Sequence, residues 1–173
     1  MKFQLPGCVV LLFVATSCAI PMPRHVPFNE ADFAAYRGPG TGTVVGKLAV
    51  STDEGIKEGY SADIELIPVT PYTEEMVEVE LGQGFVLMPP ADSRFKKYAR
   101  FAKADSHGNF VISQVPPGRY FICGEVDWLP IAAEDYDVQW GLERITMGKG
   151  QTVNITVTHN PNHGHIVLGI GKL

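Results

Sequence analysis

Ala104-Asp105-Ser106-His107-Gly108-Asn109-Phe110-Val111-Ile112-Ser113-Gln114-Val115-Pro116-Pro117-Gly118-Arg119-Tyr120-Phe121-Ile122 is the stretch that decides the fold. Asp105 to Gly108 predicts a hairpin turn: an aspartate side chain bonds its own backbone two residues on, and a glycine takes a positive φ at no steric cost. Phe110 and Ile112 then fall on one face of a strand. Val115 plugs the end of a core before Pro116-Pro117-Gly118 turns the chain again. Tyr120 and Ile122 resume the alternation on the next strand.

The same texture extends in both directions. Residues 43–50, 62–68, 97–103, 109–113, 118–128, 142–147, 152–158 and 165–170 are strand candidates, separated by Asp, Gly and Pro turns. Ile64, Leu66 and Pro68 alternate with polar neighbours, the pattern of a half-buried strand. Residues 51–60 are polar and punctuated by glycine. Residues 73–81 fit two periods. Thr73 as N-cap, with Tyr72, Met76, Val77 and Leu81 on one side, fits a helix, whereas Val77, Val79 and Leu81 fit a strand; the helix is preferred. Arg94 to Arg100 predicts a solvated edge with one apolar face. The whole predicts an all-β protein, an antiparallel Greek-key-type β-sandwich with a short helical or irregular insert over 71–96.

The turn stretch resembles the D-x-x-G-x-F-x-f-x-x-[LV]-P-x-G-x-Y signature of carboxypeptidase regulatory-like domains. Ser61-Ala62-Asp63-Ile64-Glu65-Leu66-Ile67-Pro68 looks like the second strand of that family. The resemblance covers about residues 42–157 and implies a transthyretin-like (prealbumin-like) sandwich. The 71–96 insert departs from the family pattern. The resemblance is specific for the fold and nearly silent about activity, because one fold hosts many functions.

The chain has 173 residues and a net charge of −5, from 14 Lys plus Arg against 19 Asp plus Glu. That length allows one domain and scarcely two. The acidic balance supplies no footprint for nucleic acid. Lys2 followed by the apolar run Cys8-Val9-Val10-Leu11-Leu12-Phe13-Val14-Ala15 fits a signal peptide over residues 1–17 and is too short to span a bilayer. Two cleavage readings compete. Ala15-Thr16-Ser17-Cys18 resembles a bacterial lipobox, with Ala15 where leucine is usual, and implies acylation of Cys18. Ser17-Cys18-Ala19 also offers small residues to ordinary signal peptidase, releasing a secreted chain from Ile20. Residues 18–41, with Pro21, Pro23 and Pro27, predict a proline-rich tether, and Asn29 caps a short helix carrying Phe33 and Tyr36. The sandwich domain is expected over 42–173.

Candidate sites are few. Cys123, in an apolar strand, predicts a small buried side chain and no disulfide partner. Trp128 and Trp140, with Tyr136 and the carboxylates Asp127, Glu134, Asp135 and Asp137, offer a platform for a partner or a sugar; closure of the sandwich end is the plainer alternative. His159, His163 and His165 are weak metal candidates on what predicts a polar turn. Asn154-Ile155-Thr156 satisfies the glycosylation rule without implying its use in a bacterium. No Walker, GxGxxG, nucleophile-elbow or HExxH pattern occurs. Tyr36-Arg37-Gly38 does not reproduce the C-terminal motif of hydroxyisourate hydrolases, and no two-tyrosine, two-histidine iron set like that of intradiol dioxygenases is seen. The sequence therefore predicts a non-catalytic binding or assembly module of the cell envelope. It requires no cofactor, and its partners are the membrane, through a lipid on Cys18, and an unknown envelope protein or glycan. The alternatives are a metal enzyme built on the histidine turn and a carbohydrate-binding module built on Trp128 and Trp140.

Overall fold

A computed structural model of the chain describes residues 21–131 and 137–158. Its strands are β1 (Pro21–Pro23), β2 (Gly42–Thr52), β3 (Gly55–Glu58), β4 (Asp63–Pro68), β5 (Val86–Met88), β6 (Arg100–Lys103), β7 (Asn109–Val115), β8 (Gly118–Trp128), β9 (Asp137–Met147) and β10 (Thr152–Val157). One sheet is built around β2, which pairs with β3, β7 and β10; the other runs β6-β4-β8-β9 and is antiparallel throughout. The protein is an all-β sandwich with a short helix. The β10–β2 pairing is parallel. β10 arrives from the other sheet through a turn in which Gln151 N donates to Gly148 O at 3.3 Å, so no hairpin forces it antiparallel.

The inner faces follow the predicted alternation. Val44, Leu48, Phe110, Ile112 and Val115 from one sheet meet Ile64, Leu66, Tyr120, Ile122 and Val126 from the other, all buried. Gly46 sits among them because a Cβ there would fall 2.2 Å from the Phe110 ring, its cross-strand partner. The Asp105 turn forms as an Asx-turn: Asp105 Oδ1 accepts from His107 N at 2.8 Å and Asn109 N at 2.9 Å. These bonds, led by that from the Asn109 side chain, hold the Asp105 carboxyl below its ordinary range. The turn is a corner rather than the predicted hairpin, since β6 pairs with β4 and β7 with β2, in opposite sheets.

The segment predicted as a tether lies on the domain instead. β1 runs parallel to β5, and Arg24 N donates to Met88 O at 2.8 Å. Asn29 caps a 3₁₀ turn over Glu30–Tyr36, accepting from Ala31 N at 3.1 Å. Phe33 is fully buried, stacked on Phe28 at 5.2 Å and on Tyr98 at 4.9 Å. Apolar burial docks this extended, proline-rich segment on the domain, and the folded unit begins well before residue 42.

The insert resolves in favour of helix. α1 (Pro71–Met76) continues as a π-helical turn over Val77–Gly82. Its cap is Thr70 rather than Thr73. Thr70 Oγ1 accepts from Thr73 N at 3.3 Å, while Thr73 Oγ1 accepts from Thr70 N at 2.9 Å. Pro71 occupies the first turn, where a missing N–H costs nothing. Thr73, fully buried, also donates to Pro68 O at 2.6 Å. The Arg94 to Arg100 run holds a 3₁₀ turn over Ser93–Lys97, with Phe95 and Tyr98 buried, so only part of it is a solvated edge. Among the described residues no helix is long and apolar enough to cross a membrane.

Candidate functional site

β4 and β8 each bury apolar residues on both faces. Ile67, Phe121 and Cys123 are out of phase with the inner set and point to the outer face of the β6-β4-β8-β9 sheet, yet all three are buried. The helical insert covers that face. Between insert and sheet lies a cavity of about 310 Å³. Glu65, Cys123 and Trp140 line it from the strands, and Met76, Glu80 and Lys96 from the insert side.

Burial pushes the Glu65 carboxyl above its ordinary range, against the opposing pull of Lys96. Burial does the same at Glu80, opposed by the hydrogen bond from Leu87 N at 3.3 Å and by Arg24, whose guanidinium lies 3.5 Å away. Burial also raises the Cys123 thiol, which is 1 % exposed and so inert as a nucleophile. Trp140 Nε1 is buried and has no hydrogen-bond partner among the described residues. The lining thus combines an indole, a thiol and a thioether with two carboxyls that burial raises above their ordinary range.

The raised Glu65 carboxyl makes stability depend on pH. Between the ordinary carboxylate range and the raised value, the folded state binds more protons than the unfolded one, so stability falls as pH rises through that window. Above the window the ionised, desolvated Glu65 carries its full penalty. Glu65→Gln is therefore expected to melt higher than the parent at pH 8, with the advantage gone near pH 4. Thermal melts at both values check this, and a lower melting temperature at pH 8 would mean that the Lys96 attraction outweighs desolvation.

Trp128 and Trp140 do not form a shared platform in the described structure. β8 and β9 pair without a register shift, with Glu125 opposite Trp140 and Trp128 opposite Asp137. Trp128 therefore shares the inner side of the ribbon with Val126, and Trp140 the outer side with Glu125 and Asp127. Trp140 lies within β9 rather than on a loop, because that strand begins at Asp137. Cys18, Glu134, Asp135, Tyr136, His159, His163 and His165 lie outside the described residues. Among the described residues no group of three or more His, Cys, Asp or Glu side chains is placed to hold a metal. The sequence reading missed Glu65, Glu80 and Lys96. Their signal was the out-of-phase apolar residues of β4 and β8, which mark a sheet covered on both faces.

No family model and no curated protein matches the chain. Among solved structures, a Pseudomonas aeruginosa protein described as a "putative carbohydrate binding protein" is similar at 25% identity and a TM-score of 0.65, over 76% of this chain and 97% of that one. The minor pilin GBS52 of Streptococcus agalactiae is similar at 18% identity and a TM-score of 0.36, over 70% of this chain and 44% of that one.

Proposed function

We propose that the protein is a non-catalytic carbohydrate-binding module of the bacterial cell envelope, related to carboxypeptidase regulatory-like domains and held to a membrane by a lipid on Cys18. The observation that carries the binding reading is the cavity with Trp140 on its wall and Glu65 and Glu80 around it. Sugars are bound by an aromatic surface against the apolar face of the ring, together with a few polar groups that read its hydroxyls. A volume of about 310 Å³ suits one sugar unit. The likeness to the Pseudomonas protein, which extends over nearly the whole of that chain, supports the same class. The Asp105 turn with its flanking strands supports the relation to regulatory-like domains. The leader and the Ala15-Thr16-Ser17-Cys18 sequence support the anchor.

Two carboxyls at the cavity disfavour acidic sugars, so the expected ligand is a neutral or N-acetylated hexose unit. Titration calorimetry against neutral hexoses, N-acetylhexosamines and uronic acids tests this. Saturable binding of the first two groups is expected, with Trp140→Ala weakening it at least ~10-fold, about 1.4 kcal/mol. Trp128→Phe, on the opposite side of the ribbon, is expected to leave affinity unchanged. A folded Trp140→Ala protein that binds as tightly as the parent would sink the assignment, as would a panel in which no sugar saturates.

A further inference from the structure

The small β1–β5 sheet has one buried and one exposed side. Met22 and Leu87, partners in the register, face the domain, where Leu87 is 1 % exposed. Pro21 pairs with Val86 and Pro23 with Met88. All four are exposed, Val86 at 37% and Met88 at 49%. The outward side is thus a facet of four apolar residues with no charged member. Pro89 and Pro90, also exposed, extend it. Arg24, next in the chain, buries its side chain to 5% against Tyr72 and Glu80, so its charge is not displayed beside the facet.

We propose that this facet rests on the lipid surface and that the domain lies flat against the membrane rather than standing off it. The inference rests on the acylated Cys18 of the proposed function. β1 is docked, and in the sequence only Ala19 and Ile20 separate Cys18 from Pro21. Three residue steps of at most ~3.6 Å reach roughly 11 Å. The headgroup layer of one leaflet takes up about 5–8 Å of that reach. Pro21 therefore emerges at the headgroup boundary, and the nearest exposed surface of the domain is the Pro21, Pro23, Val86, Met88 facet. Apolar groups without charge are the chemistry that such an interface accepts.

The test uses the full chain, isolated with its acyl groups and reconstituted into phosphatidylethanolamine–phosphatidylglycerol vesicles containing a lipid with a quencher on its acyl chain. Single-cysteine labelling places a fluorophore at Met88→Cys or, as a control, at Val111→Cys. Val111 is 59% exposed on the other sheet, and buried Cys123 does not compete for the label. The Met88 label is expected to be quenched at least ~2-fold more than the Val111 label. Equal quenching overturns the facet while leaving the anchor in place. A mass showing no acyl group on Cys18 overturns the anchor itself, and the facet's occupant with it.

Discussion

Replacing Phe33 by alanine should destabilise the protein by about 3–5 kcal/mol, the usual cost of removing a buried phenyl ring. The ring is fully buried, stacks on both Phe28 and Tyr98, and joins the core cluster. In a domain of this size that loss lowers the melting temperature by roughly 6–20 °C. A flexible leader would tolerate the same change within about 0.5 kcal/mol. The experiment therefore decides whether residues 21–36 belong to the folded unit. Denaturant unfolding gives the answer directly, and a loss under about 1 kcal/mol would return the segment to the status of a spacer. Tyr36 works with Phe33: its ring meets Tyr120 edge-on at 5.3 Å, and its hydroxyl lies 3.3 Å from the carbonyls of Val69 and Arg119.

That segment shows where sequence reasoning stops. Three prolines in seven residues argue for extended chain, and the chain is indeed extended. Whether an extended segment floats or docks depends on a receiving surface, which here is the insert some fifty residues away. Glu75 illustrates the point, its carboxylate accepting from His25 N at 2.7 Å and Val26 N at 3.0 Å. Nothing local in Pro21 to Pro27 announces that partner. The strands of the sandwich were legible because period-two burial is local: Ile64, Leu66, Tyr120 and Ile122 face inward as their spacing requires. Which strand pairs with which sheet is not local, so the Asp105 turn read as a hairpin proved to be a corner between sheets.

The site was half legible for the same reason. Trp140 drew attention as a large aromatic among acids, and it does line the cavity. Its pairing with Trp128 was inferred from closeness along the chain. The continuous register of β8 and β9 separates the rings onto two faces. Glu65 looked like an ordinary outward residue of a half-buried strand. It becomes unusual only because the insert roofs it, and the raised carboxyl is the mark of that roof. The amphipathic set Tyr72, Met76, Val77 and Leu81 implied that the insert covers something, and Ile67 with Cys123 implied that the sheet is covered. The match between those two apolar surfaces was available in the sequence; the cavity left between them was not.

Gly108→Ala carries the second large effect. Gly108 has φ +76°, and an added Cβ would stand 2.4 Å from the carbonyl oxygen of Leu48. That oxygen accepts from Gly59 N at 3.0 Å, while Leu48 N donates to Gly108 O at 2.9 Å. The corner is thus fixed on both sides of Leu48 and has no flexible side chain to move aside. Left-handed backbone strain contributes about 1 kcal/mol, and forced displacement of packed backbone adds about 1–3 kcal/mol, for a loss of roughly 2–4 kcal/mol. Gly84→Ala separates the two contributions. Gly84 has φ +70° and nothing within 4 Å of its added Cβ, so it should lose only the strain, about 1 kcal/mol. Urea unfolding of both variants measures the difference. If the two lose the same amount, positive φ alone explains the glycine of the turn. If Gly108→Ala loses at least ~1 kcal/mol more, the glycine is there because the β6–β7 corner packs its backbone against Leu48 at the centre of the sandwich.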